Sequence, residues 1–478
     1  MIMRQLFFLI ILNSFGLCLN AQEQFFNFLP GWRNQNIVEI TDSYISVGVS
    51  IDSIPLNHYQ FSKLSLNGEI LANEMFFLDT LQSISSLSTN DISIFNNNLL
   101  ITGRLKGVLS DRFYGSYIRL KNDLSDTIMT KSFNLLPGNG TMIRTHHIVN
   151  DTTLILGGYL QDTNFTIYSA LIETDTLGNI QWRQNYFCGN NCELKPYHIM
   201  KAADNGYFFT CKELDWFEWP YFNEKTTIIK TDSLGNEQYR LHPGNPDLFT
   251  VAGWVLPTDD GNYITAYSDP MTITDYLPQL NIDNSIWLHK FDIEGNEIFN
   301  INLYNDLPKI FYDNEYYGYT YYITQLLETN DGNILISGYK TALVDQGFLV
   351  KVTQEGELLW YRFISPPQAE GNDAAFESTK ILGITPTSDG GYIMAGEYIS
   401  TAGNIFPEDI QTAIAVKVDE FGCLEPGCQL ADAIYKIPKT DLGLRVYPNP
   451  ASEVVNVSVR ISVSLFDCAY QLPVLISQ

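Results

Sequence analysis

Residues 196–243 read PYHIMKAADNGYFFTCKELDWFEWPYFNEKTTIIKTDSLGNEQYRLHP and contain four strand-like runs: PYHIMKAA, GYFFTCKE, TTIIKTD and EQYRLHP. A DNG turn joins the first run to the second, and an LGN turn joins the third to the fourth, the turn chemistry of antiparallel hairpins. Four such runs are the content of one propeller blade. The same two-part pattern recurs along the chain. Its first half appears as TDSYISVG, NNNLLITG, DTTLILGG, DNGYFFTC, DDGNYITAY, DGNILISG and DGGYIMAG, ending at Gly48, Gly103, Gly158, Cys211, Tyr267, Gly338 and Gly396. Successive intervals are 55, 55, 53, 56, 71 and 58 residues, the signature of one supersecondary unit copied around an axis. Its second half is a hairpin turning at Gly68, Ser125, Gly178, Gly235, Gly295, Gly356 and Gly422.

The pattern predicts an all-β chain: a seven-bladed β-propeller of four-stranded blades over residues 22–430, followed by a linker over 431–443. In the seventh repeat the chain after Gly422 reads CLEPGC, so the outermost strand is missing. The N-terminal QEQFFNFLPG resembles the outer strands EIFNINLYND and ELLWYRFISP. Pairing residues 23–29 with the seventh blade is therefore expected to close the ring and cover an exposed edge.

Composition agrees, with 45% hydrophobic and 13% aromatic residues and no long helical periodicity. The formal charge of −26 argues against a nucleic-acid surface, which needs clustered Lys and Arg. Residues 1–21 have the form of a cleaved signal peptide, with Arg4, the run LFFLIIL and Ala21. No other stretch is apolar enough to cross a membrane, so the mature chain is expected to carry no transmembrane segment. Cys188 with Cys192, and Cys423 with Cys428, are candidate disulfides of an oxidising compartment, while Cys211 and Cys468 stand alone. A four-cysteine zinc site would need the two pairs to meet, yet they lie in the third and seventh repeats.

Antiparallel alternation places both short turns of every blade on one face and all the variable connections on the other. The segment CKELDWFEWPYFNEK reads as an aromatic loop with Trp216, Phe217, Trp219, Tyr221 and Phe222 beside Asp215 and Glu218. The fifth repeat adds Tyr276, Phe311, Tyr312, Tyr316, Tyr317 and Tyr319 beside Asp313 and Glu315. Flat rings with carboxylates suit a sugar; packing of loops onto blades or onto a partner protein would use the same rings. The candidate ligand-binding residues are Trp216, Phe217, Trp219, Tyr221, Tyr312, Tyr316 and Tyr317. A glycosidase needs a placed pair of acids, and no spacing among the 54 acidic residues assigns one. His146, His147 and His198 fall on inner strands of neighbouring blades, where a channel-lining or core role outweighs metal binding. TDTLGN, TDSLGN and FDIEGN lack the alternating ligands of a calcium loop and read as hairpin turns. No motif calls for a catalytic triad, a metal or a cofactor.

Residues 444–459, LRVYPNPASEVVNVSV, resemble the opening of the type A sorting domain of the type IX secretion system of Bacteroidota, with Tyr447, Pro448, Asn449 and Pro450 as its hallmark. The remaining RISVSLFDCAYQLPVLISQ is shorter than the rest of such a domain, so 444–478 reads as a truncated one. The repeats, with their DGGY and K-x-D-x-x-G motifs, are similar to those of many secreted proteins of the same phylum. The resemblance implies type IX machinery as a partner, export to the periplasm, and a final location that is secreted or on the outer cell surface. Together these readings predict a binding or scaffold module for a polysaccharide or a surface protein. The alternatives are a polysaccharide-active glycosidase or lyase and a structural adhesin.

Overall fold

The second run of each repeat is apolar on both sides of the strand, and the structure buries it on both. In the fifth repeat every residue of Tyr263–Ser268 is buried, as expected for a strand sandwiched between neighbouring sheets. The structure, a computed structural model, describes residues 23–428 except 51–57, 77–81, 85–91, 108–112, 136–139, 164–165, 190–191, 219–220, 245–250, 269–284, 304–306, 308–310, 313–314, 317–319, 342–344, 367–376 and 401–409. The chain divides into Met1–Cys428 and Gln429–Gln478. Residues 1–21, read from sequence as a signal peptide, the expected linker and the sorting-motif candidates Tyr447, Pro448, Asn449 and Pro450 lie outside the described residues.

The strands form seven four-stranded antiparallel blades in chain order. Their inner strands are Arg33–Ile40, Ile92–Phe95, Gly140–Asn150, Cys192–Lys201, Val251–Pro257, Thr320–Glu328 and Glu377–Pro386. In blade 2 the inner position is shared with the short strand Gln82–Ile84, which pairs with Leu105–Gly107. The N-terminal strand Phe25–Leu29 supplies the outer strand of blade 7, running antiparallel to Ala413–Lys417 with Phe25 opposite Lys417 and Leu29 opposite Ala413. The expected ring closure is thus the observed one.

Among the described residues the buried apolar side chains fall into seven clusters, one per blade interface. The cluster joining blade 7 to blade 1 brings Leu29, Ile393 and Ala415 against Ile37, Tyr44 and Leu64. Each interface therefore has its own core, and no blade has a free face. The chain is a closed seven-bladed β-propeller.

Three recurrent devices explain the repeat. The first concerns the residue that ends its first half. Inner strands carry a bulge, at Gln35, Arg144, Tyr197, Thr324 and Leu382, directly beside the pairs Asn34–Gly48, Ile143–Gly158, Pro196–Cys211, Ile323–Gly338 and Ile381–Gly396. The bulge presses a carbonyl onto the second strand: a Cβ on Gly338 would sit 1.9 Å from the Tyr322 oxygen, and one on Gly396 1.9 Å from that of Lys380. At Gly338 and Gly396 only glycine admits that approach; blade 4 carries Cys211 at the same register.

The second device is a buried lysine on the third strand reaching the aspartate of the first turn. Lys230–Asp204, Lys290–Asp260, Lys351–Asp331 and Lys417–Asp389 meet at 2.6, 2.8, 2.8 and 2.9 Å in blades 4 to 7. The third is the outer hairpin turn, which rests on the outer strand of the preceding blade. Gly235 abuts Trp182, Gly295 abuts Tyr239, Gly422 abuts Trp360, and Gly68 abuts Phe25 of the closing strand. In blade 2 the left-handed residue of this turn is Leu124 (φ 61°), one before the expected Ser125.

Candidate ligand-binding face

The turn-bearing face is chemically occupied by its own backbone. In the outer hairpins of blades 3, 4 and 5 the carboxylates of Asp175, Asp232 and Asp292 each accept backbone N–H groups, and the amides of Asn179, Asn236 and Asn296 donate to them at 2.8 Å. These are the segments that superficially suggest calcium loops, and their acids serve the turn instead. In the inner turns the lysine and a threonine take up the aspartate. Hydrogen bonds from Lys290 first and Thr258 second hold the Asp260 carboxyl well below the ordinary carboxylate range. For Asp331, burial pulls upward, but hydrogen bonds from Lys351 and Thr329 bring it to about 2.

The opposite face carries the elaborations. Most of the segment read as an aromatic loop belongs instead to a two-stranded ribbon: the second and third strands of blade 4 run Tyr207–Glu218 and Tyr221–Thr231. The inner strand stops pairing at Asp215 and the outer one at Ile228, while Trp216 still pairs with Phe222 and Glu218 with Tyr221. Cross-strand hydrogen bonding continues through this aromatic stretch, whose irregular step falls at Phe217, and that is why it need not collapse as a loop. Trp219 lies outside the described residues. In the insertion after blade 5, Phe311–Tyr312 and Glu315–Tyr316 form a small hairpin, with Tyr312 opposite Glu315; Asp313, Tyr317 and Tyr319 lie outside the described residues, as does Tyr276.

The strands of blades 6, 7 and 1 hold a constellation that the sequence reading missed. In blade 7 Glu397, 4% exposed in its side chain, receives Lys380 at 3.2 Å and Gln411 at 2.9 Å, with Arg33 of blade 1 at 3.9 Å. Lys380 also reaches Asp345 of blade 6 at 3.2 Å and lies 5.4 Å over the ring of Tyr339, which stacks on Tyr322 at 5.0 Å. One ammonium thus occupies the space between two carboxylates, an arrangement that fixes blades together. In blades 2 to 4 the corresponding contacts are of arginine with aromatic rings. The Arg104 guanidinium lies 4.2 Å over Phe113, and that of Arg144 lies 5.0 Å over Tyr197. A sequence signal existed: Arg104, Tyr159, Tyr339 and Glu397 each directly follow the repeat's glycine.

The histidines take structural roles. His146 is buried, with Nε2 2.7 Å from Ser93 Oγ and Nδ1 3.1 Å from Thr102 Oγ1. His198 stacks on Trp254 at 4.1 Å and accepts the Val255 N–H at 3.5 Å. Burial, with the neighbouring His147 adding to it, pushes both imidazoles down to about 3. His147 is lowered too, by burial and then by Lys201.

Cys188 is bonded to Cys192, and Cys423 to Cys428; Cys211 is a buried thiol. The first pair lies near Glu213, but a disulfide sulfur is not a thiolate ligand, and the Glu213 carboxylate already receives Lys225 at 2.9 Å and Thr227 at 2.5 Å. A cleft of about 650 Å³ lies between blades 6 and 7, lined by Gln346, Arg362, Phe363 and the Cys428 end of the second disulfide.

The sequence matches no protein-family model and no curated protein. Among solved structures, a mutant of the Synechocystis apocarotenoid oxygenase aligns at 11% identity over 84% of this chain and 95% of that one, with a TM-score of 0.43. The β-propeller domain of the Trilobed protease from Pyrococcus furiosus aligns at 6% identity over 82% and 99%, with a TM-score of 0.40. A puromycin hydrolase aligns at 11% over 77% and 59%, with a TM-score of 0.38. At these identities the likeness is one of fold.

Proposed function

We propose that this propeller is a binding or scaffold module, exported by the type IX secretion route to the cell surface or medium, that takes a polysaccharide or a surface protein on its elaborated face. The observation that carries the reading is the blade 4 ribbon, in which Trp216, Phe217, Tyr221 and Phe222 are strung on two strands running past the ends of their neighbours. A hydrogen-bonded ribbon presents aromatic positions at lower entropic cost than a loose loop. Among the described residues, the Asp and Asn side chains of the outer turns in blades 3 to 5 bind one another. The two disulfides accord with an oxidising compartment.

The test is retention of the full chain in affinity gels cast with plant, algal and host polysaccharides, with new reducing ends measured in parallel. Retention without cleavage, weakened by Trp216→Ala or Trp219→Ala, is expected. Cleavage would establish the enzymatic alternative, and absence of retention would move the search to protein ligands.

A further inference from the structure

The outer strand of blade 1, Ile70–Phe76, is built differently from the other six. Elsewhere the outer strand gives side chains to an interface core: Phe133, Tyr186, Tyr239, Phe299, Ile364 and Leu29 do so in blades 2 to 7. Residues 70–75 enter neither of the clusters that flank blade 1. The hairpin residue of blade 2 is Leu124, buried in the core between blades 1 and 2, where the other blades set a glycine against the preceding outer strand. Yet the strand is apolar. Ile70, Leu71 and Met75 are 46, 55 and 45% exposed, whereas among the described residues no other outer strand has more than one large apolar side chain so exposed. The strand also ends its sheet, so its outward N–H and C=O groups meet no partner strand among the described residues. An open edge with uncovered apolar side chains is a template for another strand.

Whatever covers this edge must itself be apolar and open along one side. The strand meets that requirement for itself. Antiparallel pairing about a two-fold axis at Asn73 sets Leu71 of each copy across from Met75 of the other. The one charge in residues 70–75, Glu74, then faces Ala72, so no like charges oppose each other. Asn73, on the axis, has its carboxamide oxygen satisfied within its own sheet by Gln60 and Ser62.

We propose that the outer strand of blade 1 is an interface between two copies of this chain, in which residues 70–76 pair edge to edge and join one four-stranded sheet of each copy into a continuous sheet. The contact is narrow, so the association is reversible. It goes beyond the ligand reading above, which stands or falls without it.

The experiment is sedimentation velocity of the full chain over about a hundredfold range of concentration. A reversible rise from monomer to dimer is expected, weakened about tenfold or more by Leu71→Lys combined with Met75→Lys, because edge lysines block strand pairing. Ile298→Lys, on the outer strand of blade 5, is the control and should leave the association unchanged. All three side chains are exposed, so the variants should keep the melting temperature of the parent. A monomer at every concentration, a dimer indifferent to the paired substitution, or one weakened equally by Ile298→Lys would overturn the inference. Should the paired variant unfold, hydrogen exchange of the unaltered chain decides: amides 70–76 should gain protection as concentration rises, and unchanged exchange there would contradict the proposal.

Discussion

Lys417, with none of its side chain exposed, holds its ammonium 2.9 Å from Oδ2 of Asp389 across the width of blade 7. The ammonium also donates to the Val418 carbonyl at 3.2 Å, and Thr387 donates to the same carboxylate at 2.5 Å. The lysine is thus wholly desolvated while its partner, 38% exposed, keeps contact with water. Breaking such a pair and replacing it whole have different costs.

Asp389→Ala leaves a buried ammonium without its counter-charge. It should cost about 2 kcal/mol, below the full penalty for a buried pair because the carboxylate is partly solvated. Lys417→Met removes the charge and keeps the volume, and should stay within about 1 kcal/mol of the parent. Urea unfolding of the two variants checks the order; a lysine variant less stable than the aspartate variant would contradict it.

Gly396→Ala and Gly338→Ala each drive a methyl group into a carbonyl oxygen of the bulged inner strand. Each should destabilise by about 2 kcal/mol or more. Gly253→Ala is the control, since its Cβ would meet nothing closer than 3.9 Å and should shift stability by less than about 0.5 kcal/mol. Equal effects at the three positions, measured by chemical denaturation, would remove the bulge as the reason for the repeating glycine.

The pH dependence follows from His146 and His198. Their folded values, about 3, lie below the ordinary 6.5, so the unfolded chain takes up protons first as pH falls. Their contribution is complete above pH 6.5 and is lost between 6.5 and about 3, at about 1.4 kcal/mol per pH unit for each histidine. Asp331 adds loss at lower pH: its folded value near 2 lies under the ordinary 3.8, so its contribution is present above 3.8 and vanishes as pH falls through 2. Melting temperature should therefore decline from pH 6.5 downward, and His146→Gln should flatten the decline. A curve level to pH 4 would contradict the neutral, buried assignment.

Deleting residues 22–30 removes the outer strand of blade 7 and the ring contact of Phe28 with Tyr398 at 5.2 Å. The melting temperature should fall by ten degrees or more, on the order of several kcal/mol for a lost strand with buried side chains. A synthetic peptide of residues 22–30 should restore part of the loss in a concentration-dependent way. An unchanged melting temperature would mean that the closing strand is dispensable.

The architecture was legible in the sequence because its devices repeat: the glycine facing the bulge, the lysine and aspartate of blades 4 to 7, and the hairpin glycine resting on the blade before. Even the closing strand could be read, since blade 7 visibly lacked its own. Strand length in blade 4 was less legible. Trp216, Phe217 and Trp219 break the alternation and Pro220 suggests a loop, so the ribbon emerges only from its cross-strand register. The polar contacts between blades were hidden for another reason. Arg33 and Glu397, Lys380 and Asp345, and Arg144 and Tyr197 lie on different blades and meet only when the ring closes. What sequence did offer was a polar residue after each of several repeat glycines, a signal without a partner until the axis is known.

The most direct measurement of the central claim is hydrogen exchange of the full chain with and without the polysaccharide that its affinity gel retains. Binding on the elaborated face predicts added protection at amides 212–225 and 311–316, with none in the hairpin turns around Gly178, Gly235, Gly295 and Gly356. Protection confined to those turns, with the ribbon unchanged, would place the ligand on the opposite face and contradict the account.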